Sequence, residues 1–418
     1  MDQKKEKIDM LQGPLIKNLL LFTLPIALGS MMQQLFNAAA ASIVGYFGDA
    51  DALAAVGTNG EIIALIVTLS SGLAIGANVL AASQIGQCIA EPLLLLIQTP
   101  DEIRKAAELY LRIYFLGYPG LLFYDFGSAL LRARGDSRYP FFALTLSGTV
   151  NVLLNLFFVI VLQLGVTGVA IATDLSTFLS AFLVFYRLKR DRGVFQVSFR
   201  KLRIHREYLD AILKLGIPSA VQGAVFCFAN IFVQASVNGF GATAIAGSTI
   251  AMNFEYFAYY VITAFGQTAT TFTSQNHAAQ KNDRCRQILW LCLVFSALSS
   301  LMLIAPTVLF RTELSGLFST ERQVTEQAGI RIMCILFFEP ICGLYEVPAG
   351  VLRGMGYSVM PAAATAIGTC AFRIRWICTV FQKYHTLKIL YIAFPISWVI
   401  TILMVAGCFR ILRKKSVL

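Results

Sequence analysis

Five acidic residues stand inside apolar runs of this chain: Glu61, Asp174, Glu255, Glu339 and Glu346. A carboxylate surrounded by hydrocarbon is costly, so such a group is a functional candidate by default. The chemistry it offers is reversible neutralisation, in which a proton, a sodium ion or an organic cation binds and later leaves. Desolvation favours the neutral form and so helps the proton to bind. Glu255 is the leading candidate, about twelve residues into its apolar block and followed by Tyr256, Tyr259 and Tyr260. Those rings can meet an organic cation face-on, or simply pack. Asp174 follows the polar Thr173, and Glu339 precedes Pro340, which should loosen the helical ladder there. The amides Gln34, Asn37, Asn151 and Asn155 lie in apolar blocks too. Each suits a hydrogen bond between helices as well as a polar cavity wall. Sodium could be held at Glu255 or at Asn151 and Asn155, but an amide cannot exchange a proton at physiological pH.

The elements that position these groups must be membrane helices. Apolar residues make up 57% of the chain and charged residues 14%, well under the roughly 25% charged of an ordinary soluble domain. The apolar blocks are long enough to cross about 30 Å of hydrocarbon. They run without the alternation a barrel strand needs, so an all-α polytopic membrane protein is predicted. The net charge of +11 is clumped. Lys4, Lys5 and Lys7 open the chain, Arg410, Arg413, Lys414 and Lys415 close it, and Arg187 to Arg206 holds eight more cations. This pattern places both termini and the linker in the cytoplasm. It calls for lipid contact and not for nucleic acid. The nine cysteines show no CxxC pair or ligand spacing and read as small core residues. No cleavable signal is evident before the first block.

The chain also repeats itself. Leu24-Pro25 answers Ile217-Pro218, and Phe47-Gly48 answers Phe240-Gly241, both at a spacing of 193. Ser83-Gln84 answers Ser274-Gln275, after which the spacing grows to 221: Leu131-Arg132, Gly135, Ser137 and Pro140 answer Leu352-Arg353, Gly356, Ser358 and Pro361. The second half therefore holds about 30 residues, Lys281 to Phe310, that the first half lacks. Spans are expected near 15–44, 52–84, 101–131, 139–163, 166–187, 209–237, 243–275, 286–310, 325–352, 358–381 and 388–411, eleven in all. Residues 1–190 form a first lobe, 191–207 a basic linker and 208–418 a second lobe. The run Pro92–Ile97, in the stretch 88–98 where a third helix should be, is too short for a helical span. Five spans cannot join a cytoplasmic terminus to a cytoplasmic linker. Either residues 88–100 cross extended, or the early helices invert against their charge bias. Two membrane-embedded halves of like sequence point to a transporter with its site between them.

Five segments carry a family likeness. They are Phe47–Gly57 (FGDADALAAVG), Leu131–Pro140 (LRARGDSRYP), Gly165–Thr173 (GVTGVAIAT), Thr271–Asn276 (TFTSQN) and Glu346–Ser358 (EVPAGVLRGMGYS). In this order they resemble the multidrug and toxic compound extrusion (MATE) family, here lacking the third helix. The resemblance implies two pseudo-symmetric helical lobes around a central cleft. It further implies a bacterial-type inner-membrane location and antiport of small amphipathic organic cations against H⁺ or Na⁺, without a further cofactor. A monomer is expected. Glu255 matches a carboxylate found in one branch of the family, whereas Glu61 replaces a proline of the family pattern, so it is either a new ligand or a water-facing acid. The usual first-helix acid is absent, since Asn37 is followed by three alanines. Asn151 and Asn155 match a fifth-helix pair in which Asn155 stands for the acid, and Thr173 matches a polar position on the sixth. Cation coupling is thus assigned to Glu255, Glu61 and Asp174, and the substrate cleft to Gln34, Asn37, Asn151, Asn155, Thr173, Tyr256, Glu339 and Glu346.

Two other transport-related readings stay open: a family member made inert by loss of the helix, and a lipid-linked saccharide flippase. The flippase should place cations inside to meet phosphates, for which Arg373 and Arg375 are the interior candidates. Arg132 and Arg353 read as charges of short cytoplasmic turns. An enzyme is not expected: there is no HExxH, and His205, His277 and His385 lie far apart. ATP use is not expected either, for want of a phosphate-binding glycine loop ending in Lys-Ser/Thr.

Overall fold

The computed structural model describes residues 8–47, 63, 94, 101–190, 206–316 and 322–414. Among these the chain is helical, without strands. Helix α1 is Leu15–Phe47, α2 Asp101–Ala133, α3 Arg138–Leu156 with a π-helical end Phe157–Val161, and α4 Gly165–Arg190. Then come α5 Arg206–Asn238, α6 Ala242–Ala278 and α7 Asn282–Leu309. Helix α8, Arg322–Cys334, continues through the 3₁₀ turns Leu336–Cys342 into α9, Gly343–Gly354. The next rod begins at Val359 and reaches Tyr384 in alternating α and π pieces, and α10 closes with Leu387–Lys414. Seven of the described helical stretches are long and apolar enough to cross a membrane. The expected span 52–84 and the short run 88–98 fall outside the described residues, except Ile63 and Leu94. Leu94 is helical and fully buried against Ala107, Leu111, Phe115 and Tyr118.

The chain divides into two compact units, Met1–Ile8 with Leu24–Leu213, and Asp9–Thr23 with Lys214–Leu418. In the first, α2 and α4 pack along a seam of small residues. Any side chain at Gly117 or Gly127 would overlap Asp174 or Val184. In lipid, where apolar contact gives helices no special reason to associate, such close approach is what holds them. In the second unit α6 is central. Gly247 receives α8 at Val324 and Gln327, and Gly350 and Gly354 of α9 lie on the α6 backbone at Gly266 and Thr270. Thr270 Oγ1 donates to the Gly350 carbonyl at 3.0 Å. The start of α1 belongs here as well. Asn276 Nδ2 donates to Met10 O at 3.0 Å, and the Thr23 and Thr268 hydroxyls meet at 2.8 Å.

The repeat is visible down to single hydrogen bonds. Gly135 ends α2 with φ +91° and Gly356 ends α9 with φ +91°, a left-handed conformation that glycine adopts without a Cβ penalty. At the first turn Asp136 N donates to Leu131 O and Gly135 N to Arg132 O, both at 2.9 Å. At the second, Tyr357 N donates to Leu352 O at 2.9 Å and Gly356 N to Arg353 O at 3.0 Å. Both are Schellman caps, 221 residues apart in register.

Replacing Gly350 by leucine should drive a side chain into the Gly266 backbone and destabilise the fold by about 1–3 kcal/mol. Gly407→Ala, where nothing lies within 4 Å, should leave stability unchanged or raise it by up to about 1 kcal/mol. Melting of the purified protein in detergent distinguishes the two.

Candidate functional site

Charged side chains gather inside the second unit. Ser248 and Glu255 stand seven residues apart on α6, two turns on one face. Arg331 of α8 meets both. Its Nε and Nη2 donate to Glu255 Oε1 and Oε2, each at 2.7 Å, and Nη1 donates to Ser248 Oγ at 2.7 Å. The side chains are 5% and 12% exposed for Arg331 and Glu255. The guanidinium lies over the Tyr391 and Phe394 rings of α10, at 5.3 and 5.9 Å from their centres. This two-pronged, flanked geometry is the strongest form an ion pair takes.

Glu339 sits one segment on, where the chain narrows from α to 3₁₀. Pro340 has no N–H to give, and its ring crowds the carbonyl four residues back, so the α ladder gives way to the 3₁₀ turns Leu336–Cys342. The expected loosening is found. Glu339 is 4% exposed, and its Oε2 is buried with no hydrogen-bond partner. It lies within electrostatic reach of both Glu255 and Arg331. Glu346, on α9, is held differently: Arg353 Nη2 donates to its Oε1 at 2.7 Å. Arg353 is therefore more than a turn charge, because seven residues on a helix bring it back onto the face of Glu346. Tyr256 stacks on Tyr260 at 6.1 Å.

In the first unit the amides form a short chain. Asn155 Nδ2 donates to Asn151 Oδ1 at 3.1 Å, Asn151 Nδ2 to Ser176 Oγ at 3.2 Å, and Ser176 Oγ to Thr173 O at 2.8 Å. Thr173 itself bonds back to Val169 O. Asn155 Oδ1 is buried without a partner. Asp174 rests against Gly117, with Tyr110 and Tyr114 close enough to feel its charge. Gln34 is half-buried and Asn37 exposed. Glu61 lies outside the described residues.

Sequence reading passed over Arg331, Ser248, Tyr391 and Phe394. Arg331 carried a usable signal, since it stands between Ile330 and Ile332 inside an apolar block. The test applied to acids, charge within hydrocarbon, applies equally to bases. Asp125 was passed over too, although it answers Glu346 at the spacing of 221, as Arg132 answers Arg353. Of the two arginines expected inside, Arg373 is buried and Arg375 is exposed, because residues two apart face opposite sides of a helix.

The MatE family profile matches residues 87–157 and 218–375, more than half of the chain. The probable multidrug resistance protein YoeA of Bacillus subtilis is 22% identical over 96% of this chain and 94% of its own length. The FAD transporter of Shewanella oneidensis is 23% identical over 79% and 80%. A MOP superfamily transporter from Pyrococcus furiosus, characterised by the reverse polarity of its binding pocket, superposes with a TM-score of 0.87 at 20% identity, covering 98% and 99%. With the helical architecture and the membrane-length apolar helices, these matches establish that the chain is an integral membrane protein of the MatE family, whose members are transporters and not enzymes.

Proposed function

We propose that this chain is a secondary active antiporter of the cytoplasmic membrane, exporting small amphipathic organic molecules against H⁺ or Na⁺. The observation that carries this reading is the charge balance of the cluster Glu255, Arg331 and Glu339 in the second unit. Glu255 and Glu339 are two acids, Arg331 is one base, and one acid oxygen has no partner. Within that cluster, which Arg373 does not pair with, the shortfall is a single positive charge, which a proton, a sodium ion or a substrate cation can each supply. Burial of an unpaired carboxylate costs several kcal/mol, so the empty and filled states of Glu339 differ enough in energy to bias two conformations. Glu255 then acts through Arg331, which it holds, and Glu339 takes up the ion. Asp174, with Glu61, serves in the first half, and Asn155 Oδ1 is an acceptor suited to sodium.

Names of relatives support multidrug export as the general class. The Shewanella relative is named for FAD, so substrates in this family are not confined to cations. Clustered positive charge at the two ends and in the linker supports termini in the cytoplasm. The lipid-linked saccharide reading asks for unneutralised interior cations. Arg331 is neutralised by Glu255, which leaves Arg373.

Expressed in a pump-deficient host, the native chain should lower accumulation of an amphipathic dye cation, and an uncoupler or sodium removal should abolish the effect. Glu339→Gln should reduce efflux at least tenfold with normal membrane levels. Native protein that inserts normally and leaves dye accumulation unchanged would overturn the reading.

Glu255→Gln and Arg331→Met should each destabilise the purified protein by about 3–5 kcal/mol, since each strands a buried charge. The double variant should lose much less than the two together. Additive losses in a double-mutant cycle of melting would show that the pair is not coupled.

A further inference from the structure

Arg373 differs from every other buried arginine described. It stands on the five-residue α-helical piece Phe372–Trp376, between the π-helical pieces Ala366–Ala371 and Ile377–Phe381. A π turn takes backbone groups out of the ordinary ladder and recurs at functional sites. The side chain is 1% exposed. Its Nε donates to Ser397 Oγ at 3.1 Å, and its Cζ lies 3.8 Å over the Phe394 ring, with Phe226 at 5.8 Å. No carboxylate pairs with it among the described residues, and Nε–Ser397 is its one hydrogen bond there. Arg331 and Arg353 each hold an acid at 2.7 Å. Glu339 also lacks a partner, yet the two do not meet.

A guanidinium without a counter-charge in a membrane helix is costly, and such groups mark substrate pathways. The ring and the serine fix the plane and one edge of Arg373, while both terminal nitrogens are left unbonded. That outer fork matches a carboxylate or a phosphate in two parallel hydrogen bonds, which a lysine cannot reproduce. Phe226 and Phe394 offer flat apolar surface beside it.

We propose that Arg373 is the anion-recognition residue of a substrate site inside the second unit, and that the chain accepts molecules bearing a phosphate or carboxylate on an aromatic or apolar body. This rests on the transporter reading above and narrows its substrate class. The anionic group comes from a soluble amphipath or from a lipid headgroup, and the chemistry of capture is the same.

The test is calorimetric titration of the full chain in phosphatidylcholine nanodiscs with 2-naphthyl phosphate, 2-naphthol and a naphthylmethylammonium salt. Native protein should bind the phosphate best. Arg373→Gln should weaken that binding at least tenfold, and Arg373→Lys should fall between, keeping the charge but losing the fork. Ser397→Ala removes the Nε partner alone and should weaken it by a smaller factor, which guards against misfolding of the arginine variants. Trp398, with its ring 6.2 Å from Phe394, supplies a fluorescence readout of the same site. Phosphatidic acid that displaces naphthyl phosphate, and co-purifies with native protein but not with Arg373→Gln, identifies the lipid source. Equal phosphate binding by native and Arg373→Gln protein, or preference of native protein for the ammonium salt, overturns the inference. Binding needs no turnover, so phosphate binding without dye efflux fails the antiport reading alone, and dye efflux with Arg373-independent binding fails this one alone.

Discussion

Hydrocarbon offers no partner to a polar group, and the rest of the structure follows from that. A backbone amide in the hydrocarbon must bond within its own helix, so the membrane-length stretches among the described residues are helices. Every buried charge must find its counter-charge inside the fold or await one from outside. Glu255 and Arg331 answer the first way, with two hydrogen bonds of 2.7 Å between α6 and α8. Glu339 and Arg373 have no counter-charge among the described residues, which is why the ion and substrate sites are proposed there.

The same constraint shapes the packing. Helices gain little from burying leucine against leucine when lipid is as apolar as leucine. They gain from close approach, which explains why glycines mark the contacts of α6 with α8 and α9 and of α2 with α4. Close approach also places functional groups accurately. Gly266 leaves room for Glu346, and Gly117 leaves room for Asp174. Two departures from the α ladder fall beside the unpaired charges, the 3₁₀ turns at Glu339 and the π pieces around Arg373. There the backbone trades regular bonding for control over where a side chain points.

Much of the architecture was legible in one dimension. Apolar block length, the clustering of lysine and arginine, and the offset of 221 between Leu131-Arg132 and Leu352-Arg353 foretold helices, repeats and matching turns. The caps at Gly135 and Gly356 bear this out bond by bond. The acids were legible as charge in hydrocarbon. Their roles were not, because the sequence does not show which acid faces which base. Glu255 and Arg331 are 76 residues apart, and nothing local to either records the other.

The sequence by itself determined that the chain spans a membrane as paired sets of helices, since hydrophobic length and periodicity act locally and need no fold to be read. It also determined which positions carry charge into the hydrocarbon. Only the tertiary structure decided which charges are spent on one another. That outcome depends on distances of a few ångströms between helices brought together from far along the chain, which pair Glu255 with Arg331 and leave Glu339 and Arg373 without a counter-charge among the described residues.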